Sequence, residues 1–170
     1  MVFAIAFAWV ESAVVVYLRE IYFDGGFGFP LVVKWEEGKR IVDALVRIEF
    51  GREIATIIML VAIGWVAGNY RFQRACFFLI AFGIWDIFYY VFLKALLDWP
   101  ASLFTWDILF LIPVTWVGPV LAPVLCSFLM ILLGLAIVWL QQRYEKVKIK
   151  FMEWLALIVG SIIVIVSFTM

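Results

Sequence analysis

Residues 75–97 read ACFFLIAFGIWDIFYYVFLKALL, and this stretch decides the fold class. It is long enough to span about 30 Å of hydrocarbon as a helix, which takes about 20 apolar residues. Before Lys94 it carries a single charge, Asp86. A helix on a soluble core has one apolar stripe and an opposite polar face. Here no polar face exists to turn toward water, so the stretch reads as a membrane span.

The rest of the chain follows the same pattern. Of 170 residues, 68% are hydrophobic and 15% charged, with a mean hydropathy of +1.14. Soluble domains hold about 45–50% apolar and 25% charged residues. A domain of about 150 residues still exposes roughly 30% of its chain surface, which so few polar side chains cannot cover. Further apolar stretches run from 2 to 18, 44 to 68, 118 to 140 and 153 to 170. The expectation is an all-α fold: one transmembrane domain over 1–170, a polytopic helical bundle with the lipid bilayer as its first partner. Met1-Val2-Phe3-Ala4 lacks a basic region, and no small-residue cleavage site follows. The first stretch is therefore read as a retained span rather than a removable signal.

Residues 101–116 are apolar but short and are interrupted by Pro113. Cytoplasmic loops are enriched in Lys and Arg, and this rule is used to place the segment. If it does not cross, Arg71, Arg74, Arg143, Lys146, Lys148 and Lys150 oppose Arg19, Lys34, Lys39, Arg40, Arg47 and Lys94, six against six. If it crosses, the split becomes ten against two, Arg71 and Arg74. The charge pattern thus predicts six helices, five long spans plus one short span or re-entrant segment. The loops at 19–43, 94–100 and 141–152 are then cytoplasmic, and the expected location is the cytoplasmic membrane of a bacterium or archaeon. The loop at 19–43 contains Asp24-Gly25-Gly26-Phe27-Gly28-Phe29-Pro30. No helix N-terminus follows to complete a phosphate cradle, so the loop reads as a turn-rich connector lying on the headgroups.

Composition also excludes function classes. A net charge of zero leaves no electrostatic footprint for a nucleic acid. With no histidine, the commonest proton shuttle, zinc ligand and triad base are missing. No metal site or cofactor is assigned. Cys76 and Cys126 fall in apolar runs and read as small packing residues.

The informative residues are Glu11, Glu49, Arg52, Glu53, Asp86 and Asp107, all within apolar segments. A carboxylate near a helix centre opposes insertion by about 2.5–3.5 kcal/mol. Glu49, Arg52, Glu53 and Thr56 recur at i, i+3, i+4 and i+7, one stripe of a helix. Gly83, Asp86 and Tyr89 or Tyr90 share a face of the third span. Counting Arg47 at the boundary, five carboxylates meet two arginines. Arg52 is placed to bridge Glu49 at i−3 or to reach a carboxylate on another helix. At least one deeper acid is then left without a cation and holds a proton at neutral pH.

The leading expectation is a carboxylate-lined cavity among the first four helices. In it Glu11, Glu49, Arg52, Glu53, Asp86, Tyr89 and Asp107 bind or translocate a proton or small cation, because intramembrane ionisable residues default to function. Six short helices are small for a transporter, so a homo-oligomer or larger complex is expected. Two other classes are carried beside it. An accessory or structural subunit of a larger membrane complex would pair these acids with a partner's arginines. A lipid-modifying membrane enzyme would use two carboxylates as acid and base, and it ranks last without a metal or phosphate motif. Gly64 and Gly68 form a GxxxG step, suited to a dimer or to a contact within the bundle. The last two spans carry no charge between 118 and 140 or 154 and 170 and read as lipid-facing scaffold.

Overall fold

The computed structural model describes residues 1–22, 38–143 and 151–169. The glycine-rich turn at 24–30 and the basic loop at 144–150 lie outside the described residues. The helices are α1 (Val2–Tyr22), α2 (Gly38–Ala67), α3 (Arg71–Leu97), α4 (Leu121–Arg143) and α5 (Phe151–Thr169). Between α3 and α4 lie two short strands, β1 (Trp106–Phe110) and β2 (Trp116–Pro119). All five helices are long and apolar enough to cross a membrane. This is the multi-pass helical architecture that residues 75–97 foretell.

The central helix is α3. Along α1 the small residues Ala4, Ala8 and Ser12 recur every fourth position and are buried, so the two helices approach closely. Phe7 stacks with Trp85, Trp9 meets Phe92 edge-on, and the Ser12 hydroxyl reaches the Tyr89 carbonyl at 3.2 Å. Phe7 at Trp85, Ser12 at Tyr89 and Arg19 at Trp99 ascend together, so α1 and α3 run parallel. On the other side the stripe that begins at Glu49 continues through Glu53, Thr56 and Leu60, the last three buried. It ends in Gly64, where an added Cβ would lie 2.8 Å from the Phe78 backbone nitrogen. The GxxxG step is therefore a contact inside the bundle, between antiparallel α2 and α3.

Helix α4 lies antiparallel to α3, because Gly83 faces Ser127 and Ile131 while Gly134 faces Cys76 and Ile80. The connection between them consequently leaves and returns on the same side, which overturns the crossing expected of residues 101–116. This segment is not a sixth helix. It is an antiparallel hairpin in which Asp107 pairs with Gly118 and Ile108 with Val117. Pro113 removes a helical donor and clashes with the preceding turn, leaving pieces too short to form helices alone. Trp106, Ile108, Phe110, Val114, Thr115 and Val117 are strand-forming types.

With five spans, among the described residues, Arg71, Arg74 and Arg143 lie on one side and Arg47 and Lys94 on the other. The ten-to-two split does not hold, and the end of α4 lies opposite the end of α3 rather than beside it. The count also treated Arg19 as a loop charge. In the structure α1 extends past residue 18, and Arg19 is buried within the fold.

Non-helical backbone inside a membrane protein is tolerated where protein covers it, and the hairpin is clipped at its open end. The Val120 N–H donates to the Thr105 carbonyl at 3.0 Å, and the Leu121 N–H to that of Leu103 at 2.7 Å. Before it, α3 stops at Asp98 in the left-handed region, φ 50°, a conformation Asp tolerates better than most residues. The Lys94 ammonium reaches the Asp98 carboxylate at 2.7 Å and holds its pKa below the usual carboxylate range.

Helix α5 has no buried residue between Phe151 and Phe168. It meets the bundle through Trp154 against Phe72 and Phe168 against Trp116. The scaffold expectation suits α5 better than α4, whose Ser127 and Gly134 are buried against α3.

The five-span topology has a direct test in a variant lacking Cys76 and Cys126. A cysteine at Asn69 and one at Thr115, both exposed positions, are expected to react with an impermeant thiol reagent from opposite sides. Labelling of both from one side would restore the crossing segment.

Candidate functional site: a buried ionic cluster that seats the hairpin

The cluster is assembled where α1, α2 and α3 meet the hairpin. Glu11 sits on α1 beside the small-residue stripe, 6% exposed. Its carboxylate accepts from the Thr56 hydroxyl at 3.0 Å and pairs with Arg52. Arg52 Nε also donates to Glu49 at 2.7 Å. The guanidinium thus makes both contacts expected of it, one along its own helix and one across to α1. A planar fork with five donors suits this double role.

One residue further round α2, Glu53 faces the hairpin. Its two carboxylate oxygens lie 2.9 and 3.2 Å from the Leu111 N–H, a backbone donor just past β1. A hydrogen bond to a charged acceptor contributes about 1.5–3 kcal/mol. Glu53 therefore ties the non-helical segment to α2.

Asp107 on β1 is 3% exposed. It accepts from the Tyr90 hydroxyl at 3.3 Å and lies 3.9 Å from Arg19. The Arg19 guanidinium also lies over the Trp99 ring, 3.9 Å from its centroid, a cation–π geometry. Tyr89 packs against Trp85 and Tyr90, within electrostatic reach of both arginines.

Asp86 adjoins this group, within electrostatic reach of Asp107, Tyr89 and Tyr90. It accepts from the Ser127 hydroxyl on α4 at 2.7 Å and borders a cavity of about 300 Å³ between α2, α3, the hairpin, α4 and α5. Of the expected acids, Asp86 lines that cavity while Glu11, Glu49, Glu53 and Asp107 do not. Those four are held by cations, a hydroxyl or backbone donors.

Sequence reasoning named Glu11, Glu49, Arg52, Glu53, Tyr89 and Asp107, which the fold gathers around one junction, and Asp86, which lies beside that junction with its carboxylate hydrogen-bonded to Ser127. It missed Arg19, Ser127 and the Leu111 N–H. Arg19 was findable, since it lies eight positions after Glu11 and seven after Ser12, on the same helical face. Arg47, counted as an internal cation, is exposed. Neither Ser127 nor a backbone N–H carries a sequence signal of its own.

Among the described residues, no group of three or more His, Cys, Asp or Glu is arranged to hold a metal ion. No protein-family model matches the chain, and no curated protein or solved structure does so either. The functional reading rests on the site alone.

Proposed function

We propose that this membrane protein takes up a proton or a small cation at the cluster of Glu11, Glu49, Arg52, Glu53, Tyr89 and Asp107. One observation carries the reading. Four carboxylates, of Glu11, Glu49, Glu53 and Asp107, gather around two guanidiniums, of Arg19 and Arg52. Charge inside a bilayer is expensive, and this imbalance is relieved by binding protons or small cations. Exposure is graded along the group. The side chains of Glu49 and Arg52 are 19% and 22% exposed, against 7% for Glu11 and 4% for Asp107. Glu49 and Arg52 form the entrance, and Glu53, Glu11 and Asp107 the interior.

Glu53→Gln tests the proposal, because the amide oxygen still accepts from Leu111 while the titrating proton is lost. The purified variant is expected to unfold within a few degrees of wild type, as for a change below about 1 kcal/mol. It should take up fewer protons on acidification, and a pH gradient across proteoliposomes should drive less flux. Wild-type protein with no uptake beyond that of its exposed carboxylates, or a variant that titrates like wild type, would overturn the proposal.

A second reading, a subunit of a larger membrane complex, is favoured by α5, which has no buried residue between Phe151 and Phe168. It expects the isolated chain to show no flux and no cation-dependent stabilisation, and to unfold readily in detergent.

A further inference from the structure

The cavity of about 300 Å³ has a single charged residue on its wall, Asp86. Its Oδ2 accepts from the Ser127 hydroxyl at 2.7 Å. Its Oδ1 accepts no hydrogen bond among the described residues, yet it is not sealed from a water-sized molecule as the unpartnered nitrogens of Trp85 and Trp116 are. Asp86 is partly exposed and borders the cavity, so this oxygen opens onto it. A carboxylate has about four acceptor sites, and the free ones call for a donor inside the cavity.

The surroundings narrow what that donor is. Among the described residues no Lys or Arg pairs with Asp86, and the charged group within its electrostatic reach is a second acid, Asp107. An anion would meet like charge, and a neutral donor would satisfy Oδ1 but not its charge. An ammonium group satisfies both. The side chains of Phe82, Trp85, Phe110, Trp116 and Phe168 share the wall with Asp86, and aromatic rings attract ammonium groups. Sites for small molecules start at about 300 Å³, so the space suits one aryl ring or a short alkyl chain beside the charge. The ammonium of a phospholipid headgroup has the same chemistry, but it carries a phosphate and stays at the bilayer surface. Asp86 lies near the middle of α3, which favours a free amine carrying its own apolar body.

We infer that this cavity binds a lipophilic ammonium cation, its apolar body among the aromatic side chains and its N–H groups donating to Asp86. The inference does not rest on proton uptake by the cluster.

Thermal-shift titration of the protein in an uncharged detergent tests it with three probes of similar shape. Phenylbutylammonium supplies charge and donor, phenylbutanol a donor alone, and pentylbenzene neither. The ammonium is expected to raise the unfolding temperature saturably and to bind at least about tenfold more tightly than the alcohol, as a charge pair in a dry site requires. Asp86→Asn keeps the size of the side chain and an oxygen for the Ser127 hydroxyl, and it removes the charge. In that variant the preference for the ammonium over the alcohol should disappear. Should Asp86→Asn not fold, the wild-type protein carries the test through Cys126, a partly exposed residue on the cavity wall. Its alkylation by a membrane-permeant maleimide, read by mass spectrometry, should be slowed several-fold by the ammonium and not by the alcohol at the same concentration. Glu53→Gln, outside the cavity, should bind the ammonium like wild type. Loss of binding in Glu53→Gln with retention in Asp86→Asn would place the cation in the cluster and overturn the inference. Equal affinity for the alcohol or for pentylbenzene, no saturable effect of the ammonium, or unprotected Cys126 would overturn it too.

Discussion

Arg52→Met is expected to be among the most destabilising single substitutions in this protein. Its guanidinium is the shared cation of Glu11 and Glu49, and methionine would leave both carboxylates facing each other across α1 and α2. Removing one partner of a buried ion pair costs about 3–5 kcal/mol, because the remaining charge stays desolvated. At about 2–4 °C per kcal/mol for a chain of this size, the unfolding temperature should fall by roughly 6–20 °C. The double variant Arg52→Met/Glu11→Gln should recover a large part of the loss, since a neutral side chain in place of a stranded charge removes the penalty. Thermal unfolding in detergent of wild type, both single variants and the double variant measures the coupling. An Arg52→Met protein as stable as wild type would mean that the network contributes nothing to the fold.

Gly83→Val should be comparably damaging for a different reason. Even the first carbon of a side chain at Gly83 would lie 2.5 Å from the Ser127 carbonyl oxygen and 2.8 Å from Ile131. Backbone cannot yield as a flexible side-chain tip can, so α3 and α4 must separate. Overpacking of this kind costs about 1–3 kcal/mol. The separation also pulls Ser127 from Asp86, adding about 1–3 kcal/mol for an acceptor left unmet. Gly160 provides the control, because nothing lies within 4 Å of a Cβ built there. Gly160→Ala should be neutral or slightly stabilising through helix propensity. Equal melting of Gly83→Val and wild type would show that the two helices are not held at this distance.

Much of the architecture was legible from residue types alone. An apolar run of about 20 residues crosses a bilayer with few alternatives, which is why all five long spans were found within a few residues of their ends. The stripe Glu49, Arg52, Glu53 and Thr56 was readable as a face turned toward protein, because helical periodicity is a local property. Its extension through Leu60 to Gly64 follows the same spacing.

What the tertiary structure alone decided begins at residues 101–116. Charge bias suggested a crossing, but a count of loop charges says nothing of which helices pack together. The antiparallel packing of α3 on α4, set by Gly83 and Gly134 meeting the opposite backbone, returns the chain to the side it left. Pro113 and the strand-forming residues around it then fold back as a hairpin, whose backbone polar groups must find partners inside the bundle. That requirement gives Glu53 and Asp107 their places, one on the Leu111 N–H and the other between Tyr90 and Arg19. The partition of the acids, with Asp86 turned to Ser127 and the apolar cavity while the others gather around Arg19 and Arg52, follows from which helix faces oppose one another. Local sequence holds the faces but not their pairing, because pairing depends on contacts between residues as distant in the chain as Glu53 and Leu111.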